Sequence, residues 1–123
     1  VDAITLLGDR APLYALVRMP DAADRLTVMT EDGRTFVVSG ELDAHTAPDL
    51  AEALEGVDHA ADVVLDLSEL TFLDSSGLRV VISTNGALSA GGGSLVLRRP
   101  GRMVQRILSI SGLEGHIAVD DAD

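Results

Sequence analysis

Asp74-Ser75-Ser76-Gly77 sets a carboxylate and two hydroxyls at the point where a short apolar strand runs into a helix: Asp66-Leu67-Ser68-Glu69-Leu70-Thr71-Phe72-Leu73 precedes it and Leu78, Val81 and Ile82 begin a helical stripe. A hydroxyl at a helix N-terminus lies beside the unpaired N–H groups of the first turn and the positive end of the helix dipole. Both favour negative charge, so the position suits a phosphate. A hydroxyl there can act as a switch. Asp and Ser ahead of an apolar helix are also ordinary N-caps, and both readings stand for these residues taken alone.

Other chemistry lacks its partners. Ser75 and Ser76 do not sit in G-x-S-x-G, since Leu73 or Asp74 stands where the first glycine belongs. His45, His59 and His116 are scattered through polar surroundings and read as surface residues, with His45 two positions from Asp43. Gly91-Gly92-Gly93 has no following Lys-Ser/Thr and reads as a turn, not a phosphate loop. With no cysteine, no His pair at i, i+4 and no acidic calcium loop, neither a metal site nor a cofactor is expected. Asp43, Asp66 and Asp74 fall near the C-terminal ends of strands, where ligand-facing loops gather. No nucleophile–base pair accompanies them, so the chain is not read as an enzyme. Asp43 reads otherwise as a turn residue, Asp66 as a solvated strand end and Asp74 as a cap.

The elements that must position these residues follow from periodicity. Residues 26–30 and 35–39 are β-rich runs joined by Glu31-Asp32-Gly33-Arg34, an Asp-Gly hairpin signal that predicts an antiparallel pair. Thr46-Ala47-Pro48-Asp49 reads as a capping box with proline in the first turn, opening a helix of about ten residues with Leu50, Ala53, Leu54 and Val57 on one face. Val63-Val64-Leu65-Asp66-Leu67 is apolar enough for a central strand. The second helix starts at Ser75 and continues weakly through Leu88 to the three glycines. Residues 94–98 return as a strand, Met103, Ile107 and Ile110 mark a third helix, and Ile117-Ala118-Val119 closes the sheet. The alternation predicts an α/β domain: one mixed central sheet of about four or five strands with helices packed on it.

The chain of 123 residues fits one compact domain. Residues 1–24 read as an extension of unknown role, in which Pro12 and Pro20 bracket the apolar run 11–17; 25–119 form the domain, and 120–123 an acidic tail expected to fray. The formal net charge of −11 repels nucleic-acid backbones and anionic lipid headgroups, so neither nucleic acid nor membrane is an expected partner. No run approaches the ~20 apolar residues of a membrane span and no signal segment opens the chain, which predicts a cytoplasmic protein. All nine basic residues are arginine. Arg98, Arg99, Arg102 and Arg106 form the one basic cluster, read as a solvated face, with a partner-binding role as the alternative.

Gly40-Glu41-Leu42-Asp43, Asp74-Ser75-Ser76-Gly77-Leu78, Gly91-Gly92-Gly93-Ser94-Leu95-Val96-Leu97 and Ser111-Gly112-Leu113, in this order, resemble the STAS domain, and within it the bacterial anti-sigma-factor antagonists. The likeness covers roughly residues 26 to 119. It implies that Ser75 is the phosphorylated serine and that Asp43 lies beside it and helps contact the partner. Asp74, Ser76, Gly77 and Arg79 complete the expected contact surface, Ser76 capping or supporting the turn. The resemblance further implies a partner-switching phosphoprotein in transcription regulation of the stress-response type. Unphosphorylated, it binds an anti-sigma factor that is itself a serine kinase, and a sigma factor is freed; phosphorylation releases it, and a serine phosphatase resets it.

Two features depart from that pattern. Arg79 stands where the family has a small residue, and either stabilises a phosphate, discriminates among kinases or is a solvated first-turn side chain. Residues 1–24 have no counterpart. The alternative function is a STAS module that binds a nucleotide or lipid as a sensor, or serves as a scaffold, without reversible phosphorylation; two Phe and one Tyr leave few stacking platforms for a base.

Overall fold

The hairpin that opens the domain is set by its turn. In the computed structural model, which describes residues 25–113 and 115–121, β1 (Leu26–Thr30) and β2 (Thr35–Leu42) pair antiparallel with Val28 opposite Val38. Asp32 Oδ1 accepts the N–H groups of Arg34 and Thr35 at 2.9 and 2.8 Å, and Gly33 adopts φ 74°. The expected extension at residues 1–24 lies outside the described residues.

From β2 the chain enters α1 (Ala47–Ala53), then β3 (Asp62–Asp66), β4 (Leu70–Leu73), α2 (Ser75–Ala90), β5 (Ser94–Arg98), α3 (Gly101–Ile110) and β6 (Ala118–Asp120). The strand order is β1-β2-β3-β5-β6, parallel beyond β2, so the expected mixed α/β architecture holds. The described residues contain six strands because the far side of β2 is shared: β3 pairs with Thr35–Val37, and β4 with Gly40–Leu42 beyond a register shift at Gly40/Glu41. Gly40 has φ 102°, and a Cβ there would lie 2.0 Å from the Arg25 carbonyl oxygen. Only glycine fits this bulge.

Alternate strand residues form the core. Leu26, Val28, Phe36, Val38, Val63, Leu65, Leu95 and Leu97 are buried and join Leu50, Leu78, Val81, Leu88, Val104 and Leu108 of the helices. No helix among the described residues is long and apolar enough to cross a membrane.

Several local expectations are corrected. Thr46 does not cap α1 through its side chain, and the helix is seven residues long, with Val57 in the turn beyond it. Ile82 is exposed, because the buried arc of α2 through Gly77, Leu78, Val81 and Leu88 is centred roughly 100° away at 100° per residue. In α3 the buried pair is Val104 and Leu108; Met103 is exposed and Ile110 is 79% exposed. Asp120 is part of β6, its carbonyl accepting the Arg99 N–H at 2.7 Å, and Asp121 accepts from Gln105 Nε2 at 3.1 Å. These two members of the acidic tail are therefore tied to the domain.

Asp66 is the largest correction. It is not solvated but 5% exposed, accepting from the Ser68 hydroxyl at 2.7 Å and the Ser68 N–H at 2.9 Å, and ion-paired to Arg99. Arg99 holds φ 48°, unusual for a side-chain-bearing residue. Burial opposes ionisation of Asp66, but Ser68 and the Arg99 guanidinium outweigh it and hold the carboxyl below the usual carboxylate range. A depressed folded pKa gives stability that is present above the unfolded value of about 3.9 and is lost as pH falls through the folded pKa. Asp66→Asn is expected to be less stable at pH 7 by about 1–3 kcal/mol, with the gap to the parent narrowing at pH 3. Urea midpoints at the two pH values measure this; a constant gap would refute the ionised pair.

Candidate partner-docking edge

Parallel pairing of β2 with β4 in the register Leu42↔Leu73 puts the next residues of the two strands, Asp43 and Asp74, side by side at the C-terminal edge of the sheet. The Asp74 N–H donates to the Leu42 carbonyl at 3.1 Å and fastens the two loops together. Residues 31 positions apart in sequence thus reach one edge.

Asp74 is the N-cap of α2. Its Oδ1 accepts the N–H groups of Ser76 and Gly77 at 2.8 and 3.2 Å, and its carbonyl accepts the Leu78 N–H at 3.0 Å. That division of labour leaves Ser75 outside the cap. Ser75 is exposed at the first position of the helix, and its hydroxyl makes no hydrogen bond among the described residues, while Ser76 is half-buried. Gly77 is buried beneath them: a Cβ there would stand 2.5 Å from Leu42 Cγ and 2.8 Å from Leu73 Cδ1. The absent side chain lets the start of α2 lie directly on the ends of β2 and β4.

The Asp43 loop is stapled by Thr46, which is buried. Thr46 Oγ1 donates to the Glu41 carbonyl at 2.7 Å and accepts the Asp43 N–H at 2.9 Å; Asp43 Oδ1 accepts the N–H groups of His45 and Thr46 at 2.9 and 3.1 Å. Thr46 serves the loop before α1 rather than the helix itself, which explains the missing cap. Asp43 Oδ2 pairs with Arg25 at 2.9 Å, and Arg25 also reaches Glu41 at 2.8 Å. Desolvation raises the Asp43 pKa, but the Thr46 and His45 amides and the Arg25 charge outweigh it and leave the carboxyl below the ordinary value. Asp43 is an anion at neutral pH with one oxygen fixed by the loop and the other by a cation.

Arg25 was not found from the sequence, although the hairpin carries the signal. Opposed residues of β1 and β2 sum to 66, as in Leu26↔Gly40, so Arg25 faces Glu41 one step further out. Arg79, exposed, lies one helical turn after Ser75. With Ser76 it borders a groove of about 380 Å³ between α1 and α2, walled by Leu54, Val57, Val80 and Leu88 and ending at His59. The three histidines are exposed and none approaches Ser75 in a nucleophile–base hydrogen bond.

The profile of the family described as "Mlab, STAS domain" matches residues 26–119. The chain belongs to the STAS-domain family. Within it, the chain is 35% identical over 88 residues to the anti-sigma-B factor antagonist of Listeria monocytogenes serovar 1/2a, covering 70% of this chain and 77% of that protein. It is 32% identical over 83 residues to the anti-sigma-B factor antagonist of Bacillus subtilis, covering 67% and 76%. The crystal structure of an anti-sigma factor antagonist from Mycobacterium paratuberculosis superposes with a TM-score of 0.62 at 32% identity, covering 79% of this chain and 85% of that one. The STAS domain therefore accounts for the described sheet and helices.

Proposed function

We propose that this STAS domain is an anti-sigma-factor antagonist: with Ser75 unmodified it binds an anti-sigma factor that is a serine kinase, and phosphorylation of Ser75 by that kinase releases it. The observation that carries the reading is the sheet edge set by the Leu42↔Leu73 register, which presents Asp43, Asp74 and the free hydroxyl of Ser75 together. The names of the Listeria and Bacillus relatives support it. A regulator of this kind is the substrate of a kinase and of a resetting serine phosphatase, not a catalyst, and it acts in the cytoplasm where its sigma factor does.

The electrostatics suit a binary switch. Phosphorylation adds about −1.5 to −2 charge to an edge that already holds Asp43 and Asp74. In the free protein, water and the α2 dipole accommodate that charge. Against a closely packed partner, desolvation and like-charge repulsion oppose it.

Capture from the native cell lysate tests the reading, with the parent protein, Ser75→Ala and Ser75→Glu as baits and phosphate on residue 75 mapped by mass spectrometry. A serine kinase retained by the first two baits and not the third, with phosphate on Ser75 of the parent, is the expected result. The groove between α1 and α2 favours a second reading, a ligand-binding sensor. Absence of a kinase and of phosphate, together with a thermal shift on adding a nucleotide or lipid, would favour that reading.

A further inference from the structure

Across its sixteen residues α2 carries one charged side chain, Arg79. It follows Ser75 by four positions, the spacing at which helix side chains stand over one another with Cβ atoms about 5–6 Å apart. Its other neighbours at i±3 and i±4 are Ser76, Ile82 and Ser83, so the helix brings it no carboxylate, and no ion pair among the described residues uses it.

Three of the backbone donors a phosphate on Ser75 would otherwise seek are taken. The Asp74 carboxylate holds the N–H groups of Ser76 and Gly77, and the Leu78 N–H is bonded to the Asp74 carbonyl. The cation on the neighbouring loop, Arg25, is committed to Glu41 and Asp43. Asp43 and Asp74 add repulsion, and His59 stands at the far end of the groove that Arg79 and Ser76 border. Among the described residues, one uncommitted cation remains within a helical turn.

We propose that Arg79 is the internal receptor for the Ser75 phosphate: its guanidinium closes over the dianion from the next turn of α2, with the Asp74 cap left in place. This rests on the reading of Ser75 as the modified residue. The order phosphoserine then arginine at i, i+4 places the anion nearer the helix N-terminus and the cation nearer the C-terminus, so the pair and the dipole act in the same sense. The contact stabilises the phosphorylated free form and takes a guanidinium out of the surface a partner meets. The contact thereby makes release more complete.

The test installs phosphoserine at position 75 during translation with a suppressor tRNA, so no kinase is needed, and follows the second ionisation of the phosphate by 31P NMR. Compared with Arg79→Gln, the protein with Arg79 is expected to titrate about 0.5 pH unit or more lower at low salt, a threefold or greater drop in proton affinity. Arg79→Lys should fall between them, and 1 M NaCl should shrink the differences. Equal midpoints for Arg79 and Arg79→Gln would overturn the proposal while leaving the function of Ser75 to the capture experiment. Loss of the Asp74 cap on phosphorylation, seen as changed Ser76 and Gly77 amide shifts with the midpoint indifferent to Arg79, would also overturn it.

Discussion

Ser75→Glu is expected to weaken binding of the anti-sigma factor by about 100-fold or more, whereas Ser75→Ala binds as the unmodified protein does and is no longer released when ATP is added. The effect lies in binding, not in folding. Ser75 is exposed, its hydroxyl bonds to nothing among the described residues, and the cap is made by Asp74, so Ala removes no structural contact. Glu in the first turn of a helix is favoured by the dipole, so that variant folds as well. Both should keep the parent's free energy of unfolding within about 0.5 kcal/mol. Each 1.4 kcal/mol lost at the interface is a factor of ten, and a desolvated charge beside Asp43 and Asp74 readily supplies two such factors. Titration calorimetry with the purified partner measures the ratio. Equal affinities of the Glu and Ala variants would remove Ser75 from the switch.

What the sequence disclosed, and what it withheld, divides along a physical line. Local signals carried the hairpin, the strand at 62–66, the start of α2 and the turn at Gly91-Gly92-Gly93, because each depends on near neighbours: an Asp-Gly pair, a β-branched run, a cap three residues long. The resemblance implies a common site for Ser75 and Asp43 without any knowledge of strand pairing. The register between β2 and β4 that joins Asp43 to Asp74 is a long-range fact with no local signature. The burial of Asp66 has no local signature for the same reason, since its partner Arg99 lies 33 positions away on another strand end. Thr46 illustrates a competition: its hydroxyl has the chemistry of a helix cap, but the Asp43 loop uses it first. Ile82 shows that a stripe drawn from apolar residues alone misplaces a helix face by a residue when one of its walls is a glycine, as Gly77 is in α2.

Gly77 also gives the second large effect. Gly77→Ala is expected to destabilise the domain by about 1–3 kcal/mol, although alanine is the better helix former by about 1 kcal/mol. The added methyl would fall 2.5 Å from Leu42 Cγ, a branch carbon of a side chain only 1% exposed, and 2.8 Å from Leu73 Cδ1. Both leucines are buried in the packed core and have little room to swing aside, so α2 must lift from the strand ends. Gly86 is the internal control: it lies in the same helix and a Cβ there meets nothing within 4 Å. Gly86→Ala should therefore raise stability, by up to about 1 kcal/mol, through helix propensity and a less flexible unfolded chain. For a domain of this size 1 kcal/mol corresponds to roughly 4–8 °C, so opposite shifts in Tm are within easy reach of a thermal melt. The lift has a second consequence, because the Asp74 N–H that donates to the Leu42 carbonyl ties the height of α2 to the Asp43 loop. At a temperature where Gly77→Ala is still folded, its affinity for the anti-sigma factor should fall while Gly86→Ala binds as the parent does. Unchanged affinity in a folded Gly77→Ala protein would mean that the partner does not read the spacing between Ser75 and Asp43.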